Sequence, residues 1–229
     1  MIQKLIFETL PSTNTYAREN ISDLTLPSLV IANEQTAGRG RRGNSFFSPK
    51  DTGLYMTLVF EEKKGADLLT PAAAVAVCEA LNSNGVDAKI KWVNDIFCNG
   101  KKVCGILTER FVFESKAYIA LGIGINISTN EFPQELDIAG SINAECDKIK
   151  LSEEISEKIL SYVEMPDNNS IMDIYRKNLF IIGKNVSYFH NNIKFSGTVI
   201  DINEQCNLIL MSPDGSNVTL SSGEISIII

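Results

Sequence analysis

Apolar and polar positions along this chain fall into two periods that exchange repeatedly. Strand-like runs occur at residues 4–8, 29–35 and 54–60, and the capping side chains Ser12, Thr13 and Asn14 precede a helical segment at 15–21. Residues 68–82 are alanine-rich and apolar on most sides, with Thr70 placed to cap and Pro71 at the first helical position, which predicts a buried helix ended by Asn84-Gly85. A strand then starts at 88–92 and runs on to Phe97. Asn99-Gly100, flanked by apolar residues, signals a two-residue hairpin whose return strand covers 101–113 and pairs with 116–127. Residues 130–150 lack periodicity and are rich in turn formers, so they read as an irregular exposed segment. Leu151, Ile155, Ile159 and Val163 recur at helical spacing, as do Ile171, Ile174, Tyr175 and Leu179 after a break at 165–169.

From Gly183 onward the pattern changes to short β segments at 186–189, 194–202, 208–211, 218–220 and 224–228. Turns at Asn191-Asn192 and Pro213-Asp214-Gly215 separate them, as one at Lys63-Lys64-Gly65 does earlier. Two units follow, 1–182 and 183–229. The first is an α+β domain in which strands predominate and helices are inserted, so its sheet is mixed or antiparallel with flanking helices; the second is a small β-barrel.

With 229 residues, 44% of them hydrophobic and 21% charged, the chain suits a soluble globular protein of one good-sized domain plus a small one. A net charge of −7 and a pI near 4.9 argue against nucleic acid as the main partner, because neutralising phosphates requires an excess of Lys and Arg. No apolar run approaches the roughly 20 residues needed to span a bilayer, and the N-terminus does not read as a secretion signal. The five cysteines, Cys78, Cys98, Cys104, Cys146 and Cys206, include no C-x-x-C pair, and an odd count suits reduced thiols and a cytoplasmic setting. A single histidine, His190, beside a turn makes a Ser-His-Asp or Cys-His mechanism and a histidine zinc site poor candidates. Catalysis, if any, runs on Lys, Arg, carboxylates and bound metal.

One stretch changes this picture. Residues 38–43 contain three glycines and three arginines, Gly38-Arg39-Gly40-Arg41-Arg42-Gly43, between two strand-like runs. Arginine stays charged and forks onto carboxylate or phosphate, while glycine lets backbone N–H groups approach an anion closely. The loop reads as an anion clamp at the rim of a sheet. A solvated basic loop, or one that binds nucleic acid non-specifically, is the alternative that the loop by itself leaves open.

Four elements occur together in order: Ser12-Thr13-Asn14; the arginine loop; Lys91-Trp92-Val93-Asn94-Asp95 with Lys102-Val103-Cys104-Gly105-Ile106-Leu107; and Gly122-Ile123-Gly124-Ile125-Asn126. In this order and spacing the chain resembles the biotin–protein ligases over nearly its whole length. The resemblance implies a catalytic domain like those of class II aminoacyl-tRNA synthetases with an SH3-like C-terminal barrel. It also implies a reaction in which biotin and ATP give biotinyl-5′-adenylate and pyrophosphate, after which a lysine of a biotin carboxyl carrier domain takes the biotinyl group.

The resemblance assigns roles residue by residue. Arg39 and Arg41, with Gly38, Gly40 and Gly43 giving backbone freedom, match the arginines that fold over carboxylate and phosphate; Arg42 is an outer, supporting charge. Lys102 matches the active-site lysine, whereas Lys101 reads as a solvated neighbour. Asn94 and Asp95 match residues that support ATP and Mg²⁺, with Asp95 the metal ligand, and Lys91 lies near the phosphates. Ser12, Thr13, Asn14 and Gln35 match the partners of the biotin ureido ring; Gly105, Leu107, Gly122 and Gly124 match the pocket walls; Asn126 matches the asparagine that reaches the nucleotide. Without the family, Ser12 is simply a helix cap, Asn94-Asp95 a turn, and a Gly-x-Gly in a strand a bulge or a close packing contact. Family members commonly carry a tryptophan just after the loop. Here Phe46 and Phe47 stand there, and Phe46 keeps the apolar contact without an indole N–H.

Members with repressor activity carry a helix-turn-helix domain before the first strand, so a ligase without DNA binding is expected. An exposed sheet edge would permit a homodimer. Lipoate or octanoate–protein ligase, which shares the fold and adenylate logic, and a non-catalytic biotin-binding regulatory module are the competing readings.

Overall fold

The computed structural model describes residues 1–62, 68–165, 169–190, 193–221 and 225–227. In chain order the elements are β1 (Gln3–Leu10), α1 (Thr13–Glu19), β2 (Ser28–Gln35), β3 (Gly53–Glu61), α2 (Leu69–Ser83), β4 (Lys89–Lys91), β5 (Asp95–Cys98), β6 (Lys101–Phe113) and β7 (Lys116–Asn126). They continue with α3 (Lys148–Glu164), α4 (Asn169–Asn178), β8 (Asn185–His190), β9 (Ile193–Ile202), β10 (Leu208–Met211), β11 (Asn217–Leu220) and β12 (Ile225–Ile227).

Seven strands form one sheet in the order β1-β2-β3-β7-β6-β5-β4. Only β1 and β2 run parallel, so the sheet is mixed. Alternation along the strands sends side chains to two separate cores. Leu29, Ile31, Met56, Leu58, Ile106 and Ile123 face α2, α3 and α4. Val30, Ala32 and Val59 face the other way, onto Ala17 of α1 and Ile21 just after it. α2 lies against the sheet and is itself backed by α3 and α4, which is why its alanine-rich surface is buried on nearly every side.

Two local expectations differ from what is found. α2 begins at Leu69, so Thr70 does not cap it and Pro71 lies at its third residue; the Thr70 hydroxyl instead pairs with that of Thr108 at 2.8 Å. α1 begins at Thr13, immediately after Ser12, whose Oγ accepts from the Thr15 amide. The Asn99-Gly100 turn does join β5 to β6, with both residues at positive φ (51° and 73°) as a type I′ turn requires.

Residues 130–147 are irregular up to Asp147, which caps α3 by accepting from the Ile149 and Lys150 amides. Part of the segment is nonetheless fixed beside β6, where Lys102 N donates to Ile138 O and Gly140 N to Lys102 O. Lys101 is not merely solvated, because its Nζ donates to Asp137 O at 2.7 Å.

The C-terminal strands form a second, antiparallel sheet in the order β11-β10-β9-β8-β12. Consecutive strands β11 and β12 take its opposite edges, so the chain returns from one edge to the other within a few residues and the sheet curls toward a small barrel. The turns expected at Lys63-Lys64-Gly65 and Asn191-Asn192 lie outside the described residues, as do residues 166–168 of the break before α4 and residues 224 and 228 of the last expected strand. Among the described residues no helix is long and apolar enough to cross a membrane.

The two sheets are joined at the edge of the first. Trp92, buried just after β4, donates its indole N–H to Cys206 O at 2.7 Å. Arg176 of α4 donates from Nε to Asp201 Oδ1 at 2.7 Å.

Candidate active site

The register of the first sheet brings the dispersed motifs into line. Tyr55, Gly124, Gly105, Asp95 and Lys91 are successive cross-strand partners on β3, β7, β6, β5 and β4. In the neighbouring row Thr57, Gly122 and Leu107 are partners. The two rows share the face that α1 approaches, and glycines stand at their centres. The ladder is regular there, so neither glycine marks a bulge. A Cβ on Gly124 would collide with the Phe46 ring, and one on Gly122 with Asn14 Oδ1. The missing side chains therefore make room for an aromatic ring and an amide against the sheet backbone.

Over this floor opens a cleft of about 300 Å³. Ser12, Thr13, Asn14, Gln35, Arg39, Gly40, Arg41, Lys91, Asn94, Asp95, Lys102, Gly105, Leu107, Gly122 and Gly124 all line it. So do Arg42, Phe46 and Trp92. Three expected positions, Gly38, Gly43 and Asn126, do not. Gly38 is at the base of the arginine loop, where its carbonyl accepts from the Phe46 amide and a Cβ would strike Phe46 O. Asn126 donates from Nδ2 to Gly140 O at 3.0 Å and so acts on the irregular segment; its Oδ1 is buried without a hydrogen-bond partner.

One end of the cleft is neutral and rich in hydrogen-bonding groups. Gln35 Oε1 accepts from Thr13 N at 2.9 Å and lies 3.1 Å from Thr13 Oγ1. Thr57 Oγ1 lies 2.8 Å from Thr13 Oγ1 and 2.6 Å from Asn14 Oδ1, to which it donates. Ser12, Thr13 and Asn14 are all nearly inaccessible to solvent, as is Thr57. Ser12 is thus a helix cap and a cleft residue at once, since capping α1 is what points the next two side chains into the sheet.

The other end is cationic. Arg39, Arg41, Arg42, Lys91 and Lys102 line the cleft, against Asp95 as its one carboxylate. Lys102 Nζ is 2.7 Å from Asp95 Oδ1, so this buried carboxylate oxygen is held in an ion pair. Arg41 Nη1 donates to Asn94 Oδ1 at 2.8 Å, while Asn94 Nδ2 donates to Ile106 O. Lys91 Nζ lies 5.4 Å from the centre of the Phe97 ring. Net positive charge at this end contrasts with the −7 of the whole chain, which concentrates attraction for an anion here.

The arginine loop is a small hairpin. Its arms are joined by Gly40 N to Asn44 O and Phe46 N to Gly38 O, with Arg39 bridged to Ser45, and its tip is a 3₁₀ turn at Arg41–Gly43. Gln35 Nε2 donates to Ser48 Oγ at its base. Arg39, expected on the ligand anions, lines the cleft and also pairs with Glu109 on β6, with Nη1 to Oε2 at 3.0 Å and Nη2 to Oε1 at 2.8 Å. Sequence reasoning missed Glu109 and Thr57. Both were signalled by alternation, since Glu109 continues the face of Gly105 and Leu107, and Thr57 is a lone hydroxyl in an apolar strand.

A glycine-floored cleft with a neutral polar end and a cationic end is the kind of site that suits a ligand joining an uncharged polar head to an anion. The chain belongs to the biotin/lipoate A/B protein ligase family, whose model matches residues 6–126, and the model of the biotin protein ligase C-terminal domain matches residues 181–227. It is similar to the bifunctional ligase/repressor BirA of Bacillus spizizenii, with 32% identity over 232 residues covering 94% of this chain and 71% of that protein. It is also similar to the biotin–[acetyl-CoA-carboxylase] ligase of Paracoccus denitrificans, with 39% identity over 124 residues, 51% of each chain. Among solved structures, the biotin protein ligase from Aquifex aeolicus in complex with biotin and ATP shares the fold, with a TM-score of 0.81 at 23% identity, covering 99% of this chain and 98% of that one.

Proposed function

We propose that this chain is an ATP-dependent biotin–protein ligase, with residues 1–182 as the catalytic unit and 183–229 as a C-terminal unit. The two-ended cleft carries this reading. Its neutral end is lined by hydroxyl and amide side chains of the kind a buried ureido ring requires, and its cationic end suits a carboxylate beside a triphosphate.

A carboxylate oxygen of biotin attacks the α-phosphorus, the bond to the bridging oxygen of the β-phosphate breaks, and pyrophosphate departs. The neutral amine of a carrier lysine then attacks the acyl carbon of the mixed anhydride. An amide forms, AMP leaves with its phosphate oxygen, and the amine proton passes to solvent.

No enzyme nucleophile is required, so the residues work by positioning and charge. Ser12, Thr13, Asn14 and Gln35 hold the ureido ring, and Gly105, Leu107, Gly122 and Gly124 form the walls. Arg41 and Lys102 offset repulsion between the two anions; Lys91 and Asn94 support the phosphates. Asn126 acts on the nucleotide side through the Gly140 carbonyl it holds.

Magnesium, when bound, would neutralise phosphate charge. Asp95 fits as its protein ligand, because magnesium is usually held by one or two carboxylates plus substrate phosphates, and Asp95 is the carboxylate that lines the cationic end of the cleft. Among the described residues no larger cluster of metal-binding side chains occurs.

The acceptor is the lysine of a biotin carboxyl carrier domain; the name of the Paracoccus relative gives acetyl-CoA carboxylase as that protein's own target. Five free thiols support a reducing, cytoplasmic setting. The test is pyrophosphate release from Mg²⁺-ATP with biotin, run beside lipoate and octanoate. Release with biotin alone is expected. Release with lipoate or octanoate alone would make this a lipoate-type ligase, and biotin binding without release would make it a regulatory module.

A further inference from the structure

Glu109 does not line the cleft, yet it joins the cleft's two ends. Its Oε2 accepts from Asn14 Nδ2 at 2.9 Å, and the carboxylate takes both terminal nitrogens of Arg39 at 3.0 and 2.8 Å. Three donors converge on one side chain, which an acceptor-only carboxylate satisfies and a neutral amide of the same shape does not.

The contact completes a continuous chain of polar side chains. It runs from Gln35 through Thr13, Thr57 and Asn14 to Glu109 and ends on Arg39. Both of its ends are fastened to the arginine loop, Gln35 at the loop's base through Ser48 and Arg39 on the hairpin arm bridged to Ser45. The orientation of Asn14 is set from two sides, since Thr57 donates to its oxygen and Glu109 accepts from its nitrogen. Gly122 leaves just enough room for that amide. Meanwhile Arg39 spends its fork on Glu109, so the hairpin is pinned to β6 while Arg41, farther along, keeps a neutral partner in Asn94.

We infer that Glu109 is a positioning residue that couples recognition of the ureido ring by Asn14 to the placement of the arginine loop through Arg39. The inference rests on the ligase reading above. It makes Arg39 a structural partner of the loop, with the anion contacts falling to Arg41 and Lys102, and it makes the charge of Glu109, not its bulk, the property that matters for biotin.

The experiment is calorimetric titration of biotin into the unmodified protein, Glu109→Gln, Arg39→Ala and the double variant, with thermal melts and the KM for ATP at saturating biotin measured on each. Glu109→Gln preserves shape and removes the charge that holds Arg39. Roughly tenfold weaker biotin binding is expected in each single variant. The double variant should bind no more weakly than the worse single one, because both substitutions break the same link. The KM for ATP should rise in the same variants, because the loop that Arg39 anchors also carries Arg41. Arg110→Ala, which removes an exposed pair with Glu62 one residue along β6, should leave biotin binding unmoved.

Wild-type biotin affinity in Glu109→Gln, multiplicative losses in the double variant, or an equal loss in Arg110→Ala would each overturn the coupling while leaving the ligase reading intact. Absence of biotin binding by the unmodified protein would overturn both.

Discussion

Lys102 Nζ stands 2.7 Å from Asp95 Oδ1 across the β5–β6 hairpin, joining the lysine at the start of the return strand to the one carboxylate lining the cleft. The hairpin makes this meeting possible. Its two-residue turn at Asn99-Gly100 and a register shift between Ile96 and Phe97 put Phe97 opposite Lys102 and Asp95 opposite Gly105. The side chains are 30% and 19% exposed, so the pair is accessible enough to be divided between an incoming phosphate and its counter-ion.

Lys102→Ala is therefore expected to lower biotin-dependent pyrophosphate release by about 10²–10³-fold, the usual loss when one charge-stabilising donor is removed. Folding should be little affected. A partly solvated ion pair contributes roughly 1 kcal/mol or less, which corresponds to a few degrees in melting temperature for a chain of this size. Parallel activity and melting measurements decide the matter, and a melting shift large enough to account for the lost activity would assign Lys102 a structural role.

Gly122→Ala should damage the polar end selectively. Its strand is paired on both sides, to Thr57 and to Leu107, so the backbone has no room to retreat from the added methyl. Asn14 must move instead, breaking the 2.6 Å hydrogen bond from Thr57 and the 2.9 Å one to Glu109. Biotin affinity is expected to fall at least about tenfold while ATP binding persists. Calorimetry with each ligand separately checks this, and unaltered biotin affinity would show that the amide is not needed where it stands.

The strands and helices of the first sheet were largely legible because their apolar periods are unmixed, and the Asn99-Gly100 turn carried its own steric signature. Thr70 followed by Pro71 imitates a helix start, but the helix begins two residues before Pro71, and the Thr70 hydroxyl finds Thr108. At the site, the resemblance supplied residue types but not partners. That Arg39 meets Glu109 and that Phe46 lies over Gly105 and Gly124 depends on the register of β3, β7 and β6, a long-range property that no local pattern records. Asn126 shows the same limit, since its partner at Gly140 belongs to a segment without periodicity.

The thiols give a test of the core. Burial raises the Cys78 thiol to about 11 and that of Cys206 to about 12, and it raises Cys104 further still, while Cys146 is only partly covered. At pH 8 a disulfide reagent should label Cys146 first and the other four only as the protein unfolds. The same shifts imply alkaline destabilisation. The folded state keeps protons that the unfolded chain loses above about pH 9, so stability is intact below that pH and falls as pH rises toward 11 and 12. For Cys78 the loss is about 1 kcal/mol at pH 10. Urea midpoints at pH 8 and pH 10 measure it; a rise between them would contradict the assignment.

Arg41→Gly should loosen retention of the adenylate. Arg41 stands at the start of the loop's tip turn with one nitrogen on Asn94 Oδ1, a neutral acceptor that leaves the remaining donors for a phosphate or carboxylate. Asn94 is in turn fixed by its own bond to Ile106 O, so the fork is aimed by the sheet and not by the loop alone. Glycine removes both charge and fork, and the expected result is about 10- to 100-fold faster escape of the intermediate, because losses at a ligand contact appear mainly in the dissociation rate. Arg41→Lys separates the two contributions, since lysine keeps the charge without the planar pair of donors, and its release rate should fall between the other two. Single-turnover reactions with labelled ATP, followed by rapid separation of bound from free adenylate, measure these rates. Unchanged release in Arg41→Gly would falsify the clamp and leave Lys102 as the cleft's principal anion contact.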